Sequence, residues 1–285
     1  MKISVNVTAL NEEKNIERCL KSASFADEIV VTIDSRTTDN TAKIARKYTS
    51  KVYAREFRGF SDIKQFCLSK SKNEWVFVLD ADVEISPHLA RAARDAIKNG
   101  DYDGYKIKRE TFFLGRLIKH CGWGNDYQLR LFKKNAGAYD GRPIHESIKI
   151  NGKTGMINEP LYHYSYPDSA SYFSKLNQYT TLQAAAKQKR FLLPRMLFAP
   201  FLKFFRMYVL KKGFLDGLQG FVLCVYSGFS EFVKFSKMWE ARKKGNSGGI
   251  LLRAPNWIGD AVMFTAIIKP AKTLFKKVTV LSDKG

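Results

Sequence analysis

The chain has 285 residues, of which 48 are Lys or Arg and 27 are Asp or Glu, a formal net charge of +21. Hydrophobic residues at 45% and charged residues at 26% are globular proportions; they exclude wholesale disorder, and the length suits one large domain or two smaller ones. The cationic surplus points to a polyanionic partner: nucleic acid, an anionic membrane face or phosphorylated substrates.

The first third alternates strand and helix signals. Residues 3–10 read as a strand, 12–22 as a helix, and 28–34 as an apolar strand ending in a carboxylate. A helix over 41–48, a short strand at 52–55 and a helix over about 61–71 follow. Residues 75–79 form a continuous apolar strand that ends in Asp80-Ala81-Asp82. Ser86 and Pro87 then start a helix as N-cap and first helical residue, running to Lys98. Near-continuous apolar strands separated by helices predict a mostly parallel sheet covered on both faces.

Residues 101–165 differ. Strand-like pieces at 105–109, 128–133 and 147–150 are broken by Gly-rich turns and predict antiparallel additions to the same sheet. Residues 169–190 are helical in pattern, and 191–240 are apolar, aromatic and basic together. A Lys/Gly/Ser linker at 243–249 leads into a fresh strand and helix over 250–274 and a strand at 277–281. The expected divisions are 1–168, a catalytic α/β domain; 169–245, a basic, aromatic helical region; and 246–285, a strand–helix–strand unit. Four scattered cysteines (Cys19, Cys67, Cys121, Cys224) include no C-x-x-C pair, so they read as idle thiols in a reducing cytosol. A strand beginning at Lys2 leaves no place for a leader, and no uncharged stretch reaches the ~18–20 residues of a spanning helix. The expectation is a cytoplasmic protein.

In open α/β sheets ligands bind beyond the carboxyl ends of the strands. Three strand ends here carry acids: Asn11-Glu12-Glu13, Asp34 with nearby Asp39, and Asp80-Ala81-Asp82. Two carboxylates so close repel unless a cation or a basic side chain separates them. Hard oxygen ligands favour Mg²⁺ or Mn²⁺, and such ions complete their shell with substrate phosphates.

The segments Thr8–Glu13, Ile33–Thr41 and Leu79–Asp82 resemble the three signatures of family 2 glycosyltransferases, whose fold is GT-A. Gly122-Trp123, Asp126-Tyr127-Gln128-Leu129-Arg130-Leu131-Phe132, Gly141-Arg142-Pro143-Ile144-His145-Glu146 and His163-Tyr164-Ser165-Tyr166 resemble the bacterial branch that adds sugars to the lipopolysaccharide core. The resemblance covers residues 2–240. It departs at Arg36, where Gly is usual, and at Val83, where Glu is frequent; Glu84 stands one step on.

That resemblance implies a nucleotide-diphospho-sugar donor of the UDP-sugar type, a divalent metal (Mg²⁺ or Mn²⁺) and inverting transfer. Asn11 and Glu12 would line the base and ribose, Asp34, with Asp39 nearby, would serve the base, and Asp80 would face the ribose. Asp82 would bind the metal, His163 would serve the metal or diphosphate, and Lys64 would contact the donor. Inverting transfer needs one general base to take the acceptor hydroxyl's proton. The candidates are Glu146 and Asp126; the same side chains also read as an ion-pair partner of Arg142 and as a turn residue.

Between residues 187 and 245 stand 13 Lys/Arg against 3 Asp/Glu, together with ten Phe. Phe198, Leu202, Phe205 and Val209 recur at helical spacing, as do Phe221, Val225, Phe229 and Phe232. Apolar and basic faces on one helix suit the plane of an anionic bilayer and a lipid-linked glycan acceptor, which places the protein at the inner-membrane surface. An ordinary amphipathic helix packed on the catalytic core is the alternative. Nucleic acid is not an expected partner: no zinc finger, aromatic RNP-like strand or recognition helix appears, and the strand-end acids would repel phosphates. Polyprenyl phosphate, capsule or protein glycan are alternative acceptors, and a non-catalytic binding module is the alternative of a different class. Residues 249–263 (GILLRAPNWIGDAVM) resemble the opening of heptosyltransferases, GT-B enzymes of the inner core, and imply the first part of such a unit.

Overall fold

The computed structural model describes residues 1–140, 147–186, 192–247, 249–253 and 277–281. They fall into two units, Met1–Phe173 with Met207–Cys224, and Ser174–Arg206 with Val225–Gly285.

The first unit is built on a mixed sheet. Its parallel heart is β1 (Ile3–Ala9), flanked by β2 (Glu28–Asp34) and β4 (Trp75–Asp80), with β3 (Val52–Arg55) outside β2. The apolar runs read from the sequence are buried on both faces, as a helix-covered parallel sheet requires. Side chains alternate along β4. Trp75, Phe77 and Leu79 enter the core shared with α1 (Ile16–Ser22), α2 (Thr41–Ala45) and α4 (Pro87–Asn99). Val76 and Val78 face the other way, toward Leu68 of α3 (Phe60–Lys70) and toward Phe132. The start of α4 is as predicted: the Ser86 hydroxyl accepts from the Leu89 N–H at 3.1 Å, Pro87 opens the helix, and Gly100 closes it at φ 74°. The first helix starts later than predicted, at Ile16. Asn11 adopts a left-handed φ of 52°, and the Glu12 carbonyl accepts from the Asn15 and Ile16 amides, so residues 11–15 form a turn.

The second half of the sheet corrects part of the sequence reading. The strands β5 (Val83–Ile85), β6 (Gly104–Phe113) with the short β7 (Arg116–Leu117), β8 (Asp126–Lys133) and β11 (Thr154–Tyr166) complete the order β3-β2-β1-β4-β8-β6-β11-β5. β8 is antiparallel to both β4 and β6, as expected of an addition. β11 is parallel to β6, not antiparallel, and it spans residues to which no strand was assigned. Its inward residues Gly155, Ile157, Leu161 and Ser165 keep one face, while its pairing with β6 shifts register between Ile157 and Leu161, where Pro160 lacks the N–H a ladder needs. Residues 147–150 do not join the main sheet: β10 (Ile148–Ile150) pairs with β9 (Gly137–Tyr139) in a separate antiparallel ribbon. These pairings bring the carboxyl ends of β1, β2, β4, β6 and β11 and the beginning of β8 to one edge of the sheet.

The segment Met207–Cys224 belongs to this unit and comprises the end of a π-helical turn (Arg206–Leu210), a 3₁₀ turn (Gly213–Asp216) and the opening of α7 (Gly217–Ser247). Buried Asp216 anchors it, accepting from the backbone N–H groups of Lys119 at 3.2 Å and His120 at 2.8 Å. Outward it presents Leu210, Phe214, Leu215 and Leu218, the last 72% exposed, with exposed Lys211 and Lys212. All four cysteines are buried free thiols, as read from the sequence.

In the second unit α6 (Leu192–Phe205) packs on the later part of α7. A Cβ on Gly228 would stand 2.8 Å from the Pro200 carbonyl oxygen, so this crossing needs glycine. Phe235 and Met238 pack with Ala184 of α5 (Ser169–Ala186), Met196 and Ala199. The Lys237 ammonium donates to the Asn177 carbonyl and to the hydroxyls of Thr180 and Thr181. Further along the chain β12 (Gly249–Arg253) and β13 (Lys277–Leu281) pair in parallel; the helix expected between them lies outside the described residues. Among the described residues no helix is long and apolar enough to cross a membrane.

Candidate active site

The acids read as donor-binding residues stand at the sheet edge where the topology gathers strand ends. Asp80 closes β4. Its Oδ1 is 2.9 Å from the Lys64 ammonium, and its Oδ2 accepts from Arg130 Nη2 at 2.8 Å. Burial disfavours its charge, but the Lys64 and Arg130 cations outweigh that and hold the carboxyl well below the usual carboxylate range. Arg130, only 8% exposed, is itself steadied by the Gln128 side-chain oxygen at 2.7 Å. The sequence reading named Lys64 but not Arg130. The signal was present: an arginine inside the strand Asp126–Lys133 has no place in a core unless a carboxylate meets it.

Two residues on, Asp82 is buried, and its Oδ2 lies 3.4 Å from His163 Nε2. His163 is carried by β11, and its Nδ1 is 3.3 Å from the Thr111 hydroxyl of β6. Strand pairing between β5 and β11 sets this meeting, with the Tyr164 amide donating to the Asp82 carbonyl at 2.9 Å. The structure thus brings together the two predicted metal residues, 81 positions apart in sequence. A carboxylate oxygen beside an imidazole nitrogen fits Mn²⁺ or Mg²⁺ as a partial ligand set. Among the described residues no cluster of three or more such ligands exists.

Asp34 ends β2 almost fully enclosed, and Arg36 covers it. The Arg36 backbone N–H and Nε donate to Oδ1 at 3.0 Å each, and Nη2 donates to Oδ2 at 2.6 Å. Burial pushes the Asp34 carboxyl up, and the hydrogen bonds and charge of Arg36 bring it below its ordinary value. Asp39 ties two loops: Oδ1 accepts from the Thr41 amide at 2.9 Å and Oδ2 from the Glu13 amide at 3.0 Å. The Asn11 side-chain oxygen accepts from the Thr38 amide at 2.9 Å, and the Glu12 amide donates to the Thr41 hydroxyl at 2.8 Å. Asn11, Glu12 and Asp39 thereby lock the β1 and β2 loops together beside Asp34.

Asp126 opens β8 at the same edge. Its Oδ2 accepts from Arg109 Nε at 2.7 Å and lies 2.5 Å from Arg109 Nη2. The other base candidate, Glu146, lies outside the described residues with the whole Gly141–Glu146 motif.

Residues 4–164 match the glycosyl transferase family 2 profile. The chain belongs to that family. Its fold is accordingly the GT-A class of mixed sheet flanked by helices, and it is a glycosyltransferase. It is 27% identical over 268 residues to an uncharacterized glycosyltransferase of Rickettsia conorii, covering 86% of this chain and 93% of that one. It is also 27% identical over 251 residues to the lipopolysaccharide core biosynthesis glycosyltransferase LpsC of Rhizobium meliloti, covering 84% and 92%. Among solved structures it resembles that of S. aureus TarS 1–349 in complex with UDP-GlcNAc, at 14% identity and a TM-score of 0.43, covering 87% of this chain and 93% of that one.

Proposed function

We propose that this glycosyltransferase moves a sugar from a UDP-sugar to a lipid-linked lipopolysaccharide-core acceptor, with inversion, at the cytoplasmic face of the inner membrane. The observation that carries the donor reading is the edge constellation itself: Asp80 braced by Lys64 and Arg130, beside Asp82 facing His163. Asp80 is kept anionic for a ribose hydroxyl to donate to, while Lys64 and Arg130 leave local positive charge for the diphosphate. Asp82 and His163 would hold a divalent cation, which when bound offsets the charge developing on the departing diphosphate. Asp34, with the loops locked by Asn11, Glu12 and Asp39, receives the base.

Chemically, the acceptor hydroxyl oxygen forms a bond to the anomeric carbon as the bond from that carbon to the diphosphate oxygen breaks. The hydroxyl proton passes to a carboxylate, which Glu146 supplies, with Asp126 the second candidate. The nucleoside diphosphate leaves on the opposite side of the sugar ring.

The acceptor assignment draws on the lipopolysaccharide-core relative and on the surface of Met207–Cys224, where exposed Leu210, Phe214, Leu215 and Leu218 neighbour Lys211 and Lys212. The one acid of that segment, Asp216, is turned inward. In the second unit α6 likewise exposes Phe198, Phe201 and Leu202 alongside Lys203. Such surfaces bind anionic bilayers through apolar insertion and charge together. We read 246–285 as the start of a heptosyltransferase-like unit, which the parallel β12–β13 pairing suits. The test is release of nucleoside diphosphate from a panel of UDP- and GDP-sugars with Mn²⁺ and a lipid-linked core acceptor. Turnover confined to UDP-sugars and dependent on Mn²⁺ is expected; a folded protein inactive with every donor would overturn the proposal.

A further inference from the structure

The Asp34 carboxylate is 2% exposed, whereas Arg36, two residues later, is 54% exposed. The guanidinium is therefore the outer cover of a carboxylate that burial has closed from other sides. Both carboxylate oxygens are taken: Oδ1 by the Arg36 amide and Nε, Oδ2 by Nη2 and, at 3.2 Å, Nε. The guanidinium also sits over the Phe57 ring, its central carbon 4.4 Å from the ring centroid. Phe57 in turn packs edge-on against Phe60 at the start of α3. Arg36 thus has two attachments, one to the carboxylate and one to an aromatic face, and the second survives if the first is broken.

We propose that Arg36 is a built-in competitor for Asp34, a specificity residue that the donor's base must displace. This rests on the reading of the β2 edge as the seat of that base. A uracil N–H offers Asp34 a neutral donor in place of a charged fork. The exchange succeeds because the guanidinium, more than half exposed, regains water and keeps its stack on Phe57. The apparent donor affinity is then the intrinsic affinity scaled by the fraction of molecules in which Asp34 is uncovered. Bases lacking an N–H at the pyrimidine edge cannot replace the fork and are refused.

The experiment is calorimetric titration of the full chain with UDP, N3-methyl-UDP, CDP and GDP, for the wild type, Arg36→Ala and Arg36→Lys. Circular dichroism melts establish that each variant is folded. Arg36→Ala is expected to bind UDP about three- to tenfold more tightly, the size of one partly exposed ion pair, with Arg36→Lys between it and the wild type. N3-methyl-UDP should gain nothing from either substitution, because it has no N–H to offer Asp34. Unchanged or weaker UDP binding by a folded Arg36→Ala would overturn the proposal and make the guanidinium a wall or a direct ligand of the donor. A wild type and variants that bind none of UDP, CDP and GDP would overturn the donor-site reading itself, a result distinct from equal binding by all three proteins.

Discussion

The sheet edge and the segment Met207–Cys224 belong to the same unit and distribute charge in opposite ways. At the edge cations meet the acids: Arg36 on the enclosed Asp34, Lys64 and Arg130 on the partly exposed Asp80. In the segment the cations and large apolar side chains face outward, and the single acid is buried against the Lys119 and His120 amides. The chain's net charge of +21 conceals the first region, where the acids that meet cations are few. On the function proposed above, chemistry is lodged with the minority sign, where burial raises the strength of each pair, and the majority sign, in water, would serve attraction over distance.

The largest effect expected on this contrast comes from the base. Glu146→Gln should lower transfer by about 10²–10⁴-fold with donor binding kept, while Asp126→Asn lowers it less. Full activity in Glu146→Gln, measured as product formed per enzyme, would pass the role to Asp126.

Next is the brace on Asp80. Arg130→Met leaves a carboxylate about one-third exposed with one cation instead of two, which should cost about 1–3 kcal/mol in denaturant unfolding and weaken UDP binding. The sign with pH follows from the depressed carboxyl. Its stabilisation is complete above the unfolded value, about 3.9, and is lost as pH falls through the lower folded value. The difference between wild type and variant should therefore be flat from about pH 5 to 7 and shrink below about pH 4. A difference that persists undiminished below about pH 3 would show that Arg130 supports the fold by packing alone.

The smallest effect concerns the other region. Neutralising one of the pair, Lys212→Gln, should weaken binding to anionic liposomes about fivefold at low salt, at about 1 kcal/mol per basic residue, without changing soluble donor hydrolysis. Equal partitioning of the wild type onto neutral and anionic vesicles would contradict a charge-guided surface.

Much of the edge is legible in sequence because each acid follows an apolar run, and a strand end is a place the chain announces locally. Ser86-Pro87 marks the start of α4 for the same reason: capping chemistry needs only three or four neighbours. What sequence hides is pairing across distance. β11 carries His163 to Asp82, yet Asn158-Glu159-Pro160 interrupts its apolar run and its register with β6 shifts there, so neither the strand nor its parallel partner shows locally. Arg130 is likewise visible as a letter and invisible as the partner of Asp80, since that contact depends on the antiparallel register of β4 and β8. Arg36 stood out as a departure from the usual glycine, but its cover over Asp34 emerges only with side chains in place.

On the proposed function the β4 edge is a metal-assisted nucleotide-sugar site. The most direct test is Mn²⁺-dependent UDP-sugar turnover by the wild type beside Asp82→Asn. Turnover should rise with Mn²⁺ in the wild type and fall about 10²–10³-fold in the folded variant, the scale of losing one charge-stabilising group. Equal turnover by the two proteins, or turnover indifferent to Mn²⁺ in both, would contradict it.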